Sequence, residues 1–204
     1  MDALSGNVTV MANTRPLSGM FSTAFAHKKK TMAAVYDDGT ICLYDAGAGT
    51  SQILDLPYSQ NEIFTVGYDK EDRYFIVLTS VGRLDIYDAE TFEMLFSDSP
   101  TVLKNWSREY VNSDVSLNRL EAVDIASGAY LDVTAANNSD SYMILIDLAS
   151  KTIAGEIDNA VGYDTETDRV FTSLKRGKVV SYPVYDLASL KEEAAKRLAA
   201  RLLR

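Results

Sequence analysis

The 204-residue sequence is poor in the side chains from which many active sites and covalent crosslinks are built. It contains one cysteine, Cys42, one histidine, His27, and one tryptophan, Trp106. A single cysteine cannot form an internal disulfide bond, which fits a reducing compartment. Zinc and iron sites take several histidines or cysteines, and a Ser-His-Asp triad needs its histidine in a cleft. The composition therefore argues against these classes of site, and we expect His27 to support a turn and Cys42 to lie in the core.

Basic residues and long apolar segments are also scarce. Lys and Arg number 20 against 29 Asp and Glu, so the net charge is −9 at pH 7. A chain this acidic repels phosphate backbones and anionic lipid, and we expect neither a nucleic-acid nor a membrane partner. No apolar run approaches the ~20 residues of a membrane span, and the N-terminus lacks the basic and apolar regions of a signal peptide. These features favour a cytoplasmic location. The chain also lacks a Gly-rich phosphate loop, so we expect no cofactor.

An internal repeat is the most specific feature that the sequence does contain. Four segments end in a hydrophobic residue followed by aspartate, at Asp45, Asp88, Asp147 and Asp186. The intervals between these aspartates are 43, 59 and 39 residues. The first and third intervals fit a repeat of ~40–45 residues, and the second fits if about 16 residues are inserted.

The units also agree upstream of these aspartates. Val-Gly-Tyr-Asp recurs at Val66 and Val161 and leads through a polar segment to Arg73 or Arg169. Each unit divides into short hydrophobic strands separated by turn residues. The strands expected in the second unit are Ile63–Tyr68, Tyr74–Thr79, Arg83–Tyr87 and Glu93–Phe96. Four antiparallel strands in ~42 residues form the blade of a β-propeller. The sequence therefore predicts an all-β propeller of about four blades.

Both ends of the chain depart from the repeat. The last unit has three strands, and a further strand expected at Asn7–Met11 would complete it and close the ring. The alternative is that the four blades form part of a larger ring. From Ser189 the sequence SLKEEAAKRLAARLLR predicts an amphipathic C-terminal helix with Ser189 as its N-cap. The expected organisation is propeller blades over 1–188, with an insertion at 101–120, followed by a helix over 189–204.

Two parts of the sequence resemble a known family. GTICLYD, ending at Asp45, and GRLDIYD, ending at Asp88, resemble the closing strand of WD-type β-propeller repeats, with Tyr in place of the usual Trp. Ala26-His27 stands where that family often has Gly-His. DLASLKEEAAKRLA, over Asp186–Ala199, is similar to the segment after the last blade in large bacterial signal-transduction NTPases. The resemblance implies a scaffold for protein–protein interaction at the C-terminus of a larger cytoplasmic protein.

The insertion at 101–120 is the main candidate for partner binding. It carries Trp, Tyr and Arg, which are enriched at binding hot spots, on a loop held by a rigid scaffold. The alternative is that Trp106 folds back onto its own blade. The rim turns between second and third strands are also expected to contact the partner. One of these turns carries Lys175 and Arg176, which are expected to contact an anionic group. The candidate partner-binding residues are Trp106, Arg108, Tyr110, Lys175, Arg176, Asp38 and Asn138.

Other charged positions are expected to serve turns. The strand-ending aspartates should accept hydrogen bonds from the backbone that follows them. Lys28–Lys30 forms a basic run that is interpreted as a solvated loop or, alternatively, as a contact for an acidic partner. The oxygen-rich turn Asn137–Asp140 lacks the ligand spacing of a dedicated calcium loop.

Two functions from different classes remain. The first is a non-catalytic interaction or sensing module that binds a protein, or other domains of a parent chain, with homodimerisation through open blade edges as a further option. The second is a propeller enzyme or small-ligand binder with carboxylates and a divalent cation at the central channel. The inner strands Phe21–Ala26, Ile63–Tyr68 and Val161–Tyr163 are poor in acids. We therefore favour the interaction module and expect no catalytic and no metal-binding residues.

Overall fold

A computed structural model describes residues 19–103, 119–136, 141–164, 166–174 and 177–202. These residues form four antiparallel sheets, each built from strands that are consecutive in the sequence. Each sheet corresponds to one sequence repeat and is called a blade here. Blade 1 contains β1 Met20–Phe25, β2 Thr31–Tyr36, β3 Ile41–Asp45 and β4 Thr50–Leu54. Blade 2 contains β5 Ile63–Tyr68, β6 Tyr74–Thr79, β7 Leu84–Asp88 and β8 Met94–Asp98.

The second half of the chain repeats this arrangement with one strand fewer. Blade 3 contains β9 Arg119–Ile125, β10 Tyr130–Ala136, β11 Ser141–Asp147 and β12 Thr152–Asp158. Blade 4 contains β13 Ala160–Asp164, β14 Arg169–Leu174 and β15 Lys178–Pro183, and the helix α1 follows at Leu187–Leu202. Among the described residues, the predicted blades and the three strands of the last unit are confirmed. The strand predicted at Asn7–Met11 lies outside the described residues.

The core lies between successive blades. Strand β6 shows this best, because its side chains alternate between two hydrophobic clusters. Phe75 and Val77 pack with blade 1, whereas Ile76 and Leu78 pack with blade 3. A third cluster joins blades 3 and 4 around Val170. A strand buried on both faces reads as a continuous apolar run, which is why the sequence identified β6 so clearly.

Strand β7 is also buried on both faces, although its apolar residues alternate. Such alternation is usual for a strand with one face towards solvent, but here both faces are buried. Leu84 and Ile86 are fully buried as expected, but so is the intervening Asp85, at 0% exposure. A carboxylate in such a position requires hydrogen-bond donors, and these are described below.

Blade 3 was only partly recognised from the sequence. Strand β9 begins at Arg119, so the predicted insertion at 101–120 overlaps the first residues of this strand. Residues 101–103 are helical, and Leu103 is buried between blades 2 and 3. The inner strand β9 also carries Glu121 and Asp124, so the expectation of acid-poor inner strands does not extend to blade 3.

The strand-ending aspartates serve as turn residues, as predicted. Asp45, Asp88 and Asp147 each accept hydrogen bonds from the backbone N–H groups two and three residues further on. Asp186 does the same for Ser189, at 2.6 Å, and thereby caps helix α1. The predicted N-cap role of Ser189 is therefore wrong, because the repeat aspartate already occupies that position.

The C-terminal helix is short and amphipathic. It spans 16 residues, and no helix among the described residues is long and apolar enough to cross a membrane.

Candidate functional site

Strand direction places two sets of loops on opposite sides of the molecule. In each blade the strands alternate in direction, so the turns between second and third strands share one side with the connections between blades. We call this side the upper rim. Among the described residues, the upper rim comprises 37–40, 55–62, 80–83, 99–103, 159 and 177. The lower rim is formed by the turns between first and second strands and by those between third and fourth strands.

The upper rim is tightly packed where blade 1 meets blade 2. The N–H of Asn61 donates to the carbonyl of Asp37 at 2.9 Å, and the N–H of Ser80 donates to the carbonyl of Glu62 at 2.8 Å. Gly39 lies directly against this connection, and a Cβ added there would sit 2.4 Å from the carbonyl oxygen of Ser59. With a φ of +87°, the position requires glycine for its conformation as well as for space.

The buried carboxylate of Asp85 links the same connection, residues 55–62, to blade 2. Its carboxylate accepts hydrogen bonds from the Tyr58 hydroxyl at 2.8 Å and from the Ser97 hydroxyl at 2.6 Å. The Arg83 guanidinium approaches both of its oxygens at 3.0 Å and reaches Glu62 at 3.1 Å. Burial, followed by its contacts with Tyr87 and Asp85, raises the pKa of Tyr58, so that hydroxyl stays protonated. This network ties the loop that joins the blades to the middle of blade 2.

Of the positions that the sequence singled out for partner binding, Asp38 lies on the described part of the upper rim. Asp38 is exposed there and accepts a hydrogen bond from the N–H of Thr40 at 3.0 Å. The other candidates lie outside the described residues. They are Trp106, Arg108, Tyr110, Asn138, Lys175 and Arg176.

The beginning of the insertion is anchored between blades 2 and 3. The N–H groups of Thr101 and Val102 both donate to the carboxylate of Glu156, at 3.0 Å each. Leu103, the next residue, is fully buried in the core. The insertion therefore leaves the scaffold from a fixed point on the upper rim, and Glu156 on β12 is a positioning residue that the sequence did not reveal.

Replacing Glu156 by alanine should loosen this anchor without unfolding the blades. Loss of two N–H bonds to a half-buried carboxylate is expected to cost about 1–2 kcal/mol, mostly as local opening. We expect hydrogen exchange at Thr101 and Val102 to become about tenfold faster. Asp158→Ala, an exposed carboxylate two residues further along β12, is the matched control. Equal exchange rates in the two variants would show that Glu156 does not anchor the insertion.

The lower rim contains a polar contact between blades 1 and 2. Asp72 accepts hydrogen bonds from three successive backbone N–H groups of blade 1, those of His27, Lys28 and Lys29, at 2.7, 2.6 and 2.8 Å. His27 was expected to support its own blade. Instead its backbone N–H binds the next blade, and its side chain is exposed.

Two lysines of the basic run Lys28–Lys30 pair with acidic residues of the same chain. Lys28 pairs with Glu71, and the ammonium of Lys29 lies 3.3 Å from Glu90, both in blade 2. These exposed pairs are expected to contribute little to stability.

The other blade boundaries carry comparable contacts on the lower rim. Between blades 2 and 3, Arg73 pairs with Asp124, and the N–H of Lys70 donates to the carbonyl of Ala122 at 3.1 Å. Between blades 3 and 4, the N–H of Ala126 donates to the Tyr163 hydroxyl at 3.0 Å. That hydroxyl donates in turn to Asp168. Burial, followed by this bond to Asp168, raises the pKa of Tyr163 to about 12.

A groove of about 600 Å³ follows the first strands of blades 1, 2 and 3. Its wall includes the exposed rings of Phe21 and Phe25, together with Ser22 and Thr65, whose hydroxyls share a hydrogen bond of 3.1 Å. Glu121 also lines it. Within the described ranges no three His, Cys, Asp or Glu side chains are grouped so that they could hold a metal ion. The alternative function, an enzyme or small-ligand binder with a divalent cation, stays a prediction. The oxygen-rich turn Asn137–Asp140 lies outside the described ranges.

The comparisons with known proteins identify the fold. No protein-family model matches the sequence, and no curated protein matches it. Among solved structures, the chain is similar to the WD40 domain of SCAP from fission yeast, with a TM-score of 0.52 and 13% identity. The match covers 82% of this chain and 43% of that one, so the chain spans less than half of the domain it resembles.

A second similar structure is the computationally designed Ika4 protein. Its TM-score is 0.53 at 14% identity, and the match covers 88% of this chain and 99% of that one. Together with the four consecutive sheets, these similarities confirm a WD40-like β-propeller fold.

Proposed function

We propose that the protein is a non-catalytic interaction module that binds a protein partner through its upper rim. The observation that carries this proposal is the convergence of the anchored insertion, at Thr101–Leu103, with the turns between second and third strands. Several loops on one rigid face suit the recognition of a single partner surface. Trp106, Arg108 and Tyr110 would supply the apolar and cationic contacts typical of hot spots.

The rim is also well suited to present loops without changing shape. The network around Asp85 and the close approach at Gly39 hold the connection 55–62 in place. Binding to a preorganised surface avoids the entropic cost of ordering loops on association. The scaffold would therefore contribute by fixing loop positions, and affinity would come from the rim side chains.

We further propose that the module works within a larger cytoplasmic signalling protein. This follows from the resemblance of Asp186–Ala199 to the segment after the last blade in bacterial signal-transduction NTPases. The partner is then either a separate protein or another domain of the same parent chain.

The proposal is tested by capturing partners on immobilised protein from a soluble cell extract and measuring their affinity with purified components. Trp106→Ala is expected to weaken binding about 30-fold, as for a central hot-spot residue. The matched control is Lys28→Ala/Lys29→Ala on the lower rim, which should leave affinity unchanged. Affinity that is insensitive to Trp106→Ala, or that is lost in the lower-rim variant, would contradict binding at the upper rim.

A further inference from the structure

A cavity of about 230 Å³ lies between blade 3 and the first strand of blade 4. Hydrogen bonds hold the scaffold at both of its ends. On the upper rim the blades are joined by Asn159 alone, whose carbonyl accepts from the N–H of Ser173 at 2.9 Å. On the lower rim the Tyr163 hydroxyl accepts from the N–H of Ala126 at 3.0 Å. The cavity is therefore a preformed feature of the fold, as ligand sites usually are.

The residues that face this cavity depart from the repeat. In blades 1 and 2, the third residue of the second strand is Ala33 or Ile76, and both are buried against the following blade. When the strands are aligned on their pairing with the strand-ending aspartates, Asp132 occupies this position in blade 3. Thr134 likewise stands where blade 2 has Leu78. Polar side chains at two interface positions of an otherwise apolar repeat are typical of a functional site.

Asp132 places a negative charge on the wall of the cavity. The residue is only 3% exposed, and the Thr134 hydroxyl donates to its carboxylate at 3.3 Å. Glu121 lies directly opposite Thr134 in the sheet, and Ser141 lines the same cavity. Carboxylate and hydroxyl oxygens all accept hydrogen bonds. Oxygen acceptors grouped around a buried negative charge suit a cation that carries several N–H donors.

The opposite wall favours a ligand with a carbon skeleton. It is apolar and is formed by Val123, Met143, Ala160 and Val161. A cavity of about 150 Å³ accommodates benzene, so this larger one has room for a short carbon skeleton beside a charged group. Among the residues that the structure describes, no three His, Cys, Asp or Glu are grouped as a metal ion requires. The net charge of −9 also attracts cations to the protein.

We propose that the cavity between blades 3 and 4 binds a small organic ligand with a primary ammonium group, and that this group contacts the carboxylate of Asp132. The ammonium donates its N–H groups to Asp132 and to the neighbouring oxygens of Thr134 and Glu121, while the carbon skeleton packs against the apolar wall. Lys70 also lines the cavity and repels a second positive charge, so the ligand is a monoamine. The site lies inside the scaffold, whereas the proposed protein partner binds loops of the upper rim.

Benzylamine is a suitable probe, because it joins one ammonium group to an aromatic ring, and benzyl alcohol is its neutral counterpart. Each is titrated into the ¹⁵N-labelled full chain and followed by NMR. Benzylamine should shift the amide signals of Val123, Thr134 and Ala160, with a dissociation constant on the order of 1 mM, as for a small fragment. Benzyl alcohol should bind at least tenfold more weakly, since it cannot form a charged pair with Asp132. Calcium chloride should not compete with benzylamine.

Three variants test the residues. Asp132→Asn keeps the size of the side chain and removes its charge, so it should weaken benzylamine at least tenfold and leave benzyl alcohol unchanged. Asp158→Asn is the matched control, because Asp158 is an exposed aspartate of blade 3 outside the cavity wall, and it should bind benzylamine as the native protein does. Ala160→Leu directs a larger side chain into the cavity and should abolish binding of both probes, which tests the site even if Asp132→Asn does not fold.

The contrary results are equally specific. Equal affinity for the two probes would show an apolar hole that does not recognise charge. Displacement of benzylamine by calcium would show a metal site instead of an amine site. Benzylamine affinity that is unaltered in Asp132→Asn or in Ala160→Leu, or signals that shift only elsewhere in the chain, would also overturn the proposal.

Discussion

Replacing Asp85 by alanine should lower the free energy of unfolding by about 3 kcal/mol. The carboxylate is fully buried and accepts bonds from Tyr58, Arg83 and Ser97. Its removal leaves these donors without their acceptor inside the blade, and the desolvation penalty for such groups is large. Denaturant unfolding followed by far-UV circular dichroism measures the loss.

Asp38→Ala is the matched control for this prediction. Asp38 is an aspartate on the same rim, but it is exposed, and it accepts a hydrogen bond from the N–H of Thr40 two residues away. Its replacement should change stability by no more than about 0.5 kcal/mol. If Asp85→Ala costs less than about 1 kcal/mol, the network does not hold the rim as described.

Replacing Asp72 by alanine should lower the free energy of unfolding by about 3 kcal/mol, since three backbone N–H groups lose a charged acceptor. Asp72→Asn should cost less. It retains one acceptor oxygen, and asparagine tolerates the left-handed conformation found here, with a φ of +58°. Thermal unfolding of the three proteins at neutral pH provides the comparison.

The contact made by Asp72 should also depend on pH. Burial acts to raise the pKa of its carboxyl, but the N–H donors of His27, Lys28 and Lys29 outweigh burial, and the pKa lies below the ordinary value of 3.8. The group therefore contributes stability that is complete above about pH 5 and declines as pH falls through the lowered value. The stability difference between the native protein and Asp72→Asn should shrink between about pH 5 and pH 2. A difference that is constant over this range would show that the ionised carboxylate is not what joins the blades.

The sequence predicted best the elements whose pattern is local. Strand β6 is a continuous apolar run, and the strand-ending aspartates Asp45, Asp88 and Asp147 repeat with the blades. The turn glycine at Gly39 recurs at Gly82 and Gly177, and all three have positive φ. Each of these features depends on a few neighbouring residues, so the sequence alone identifies it.

The sequence was less informative where residues far apart in the chain meet. The burial of Asp85 is not apparent from the sequence, because an acid between two hydrophobic residues is the usual pattern of a strand with one face in solvent. Its partner Tyr58 lies 27 residues away. Asp72 and Glu156 hold backbone from other blades, at separations of 43 residues and more. No local spacing encodes such contacts, although an acid that interrupts a buried run is a sign of a buried carboxylate with hydrogen-bond donors elsewhere in the chain.

The sequence by itself therefore determined the fold class, the number of blades and the turns, because hydrophobic period and turn chemistry act within a single blade. Only the tertiary structure decided which carboxylates are buried, which blades they join and which rim carries the anchored insertion. These properties depend on the packing of one blade against the next. Burial makes an unpaired carboxylate costly, so its donors come from whichever backbone or side chain the packing brings near.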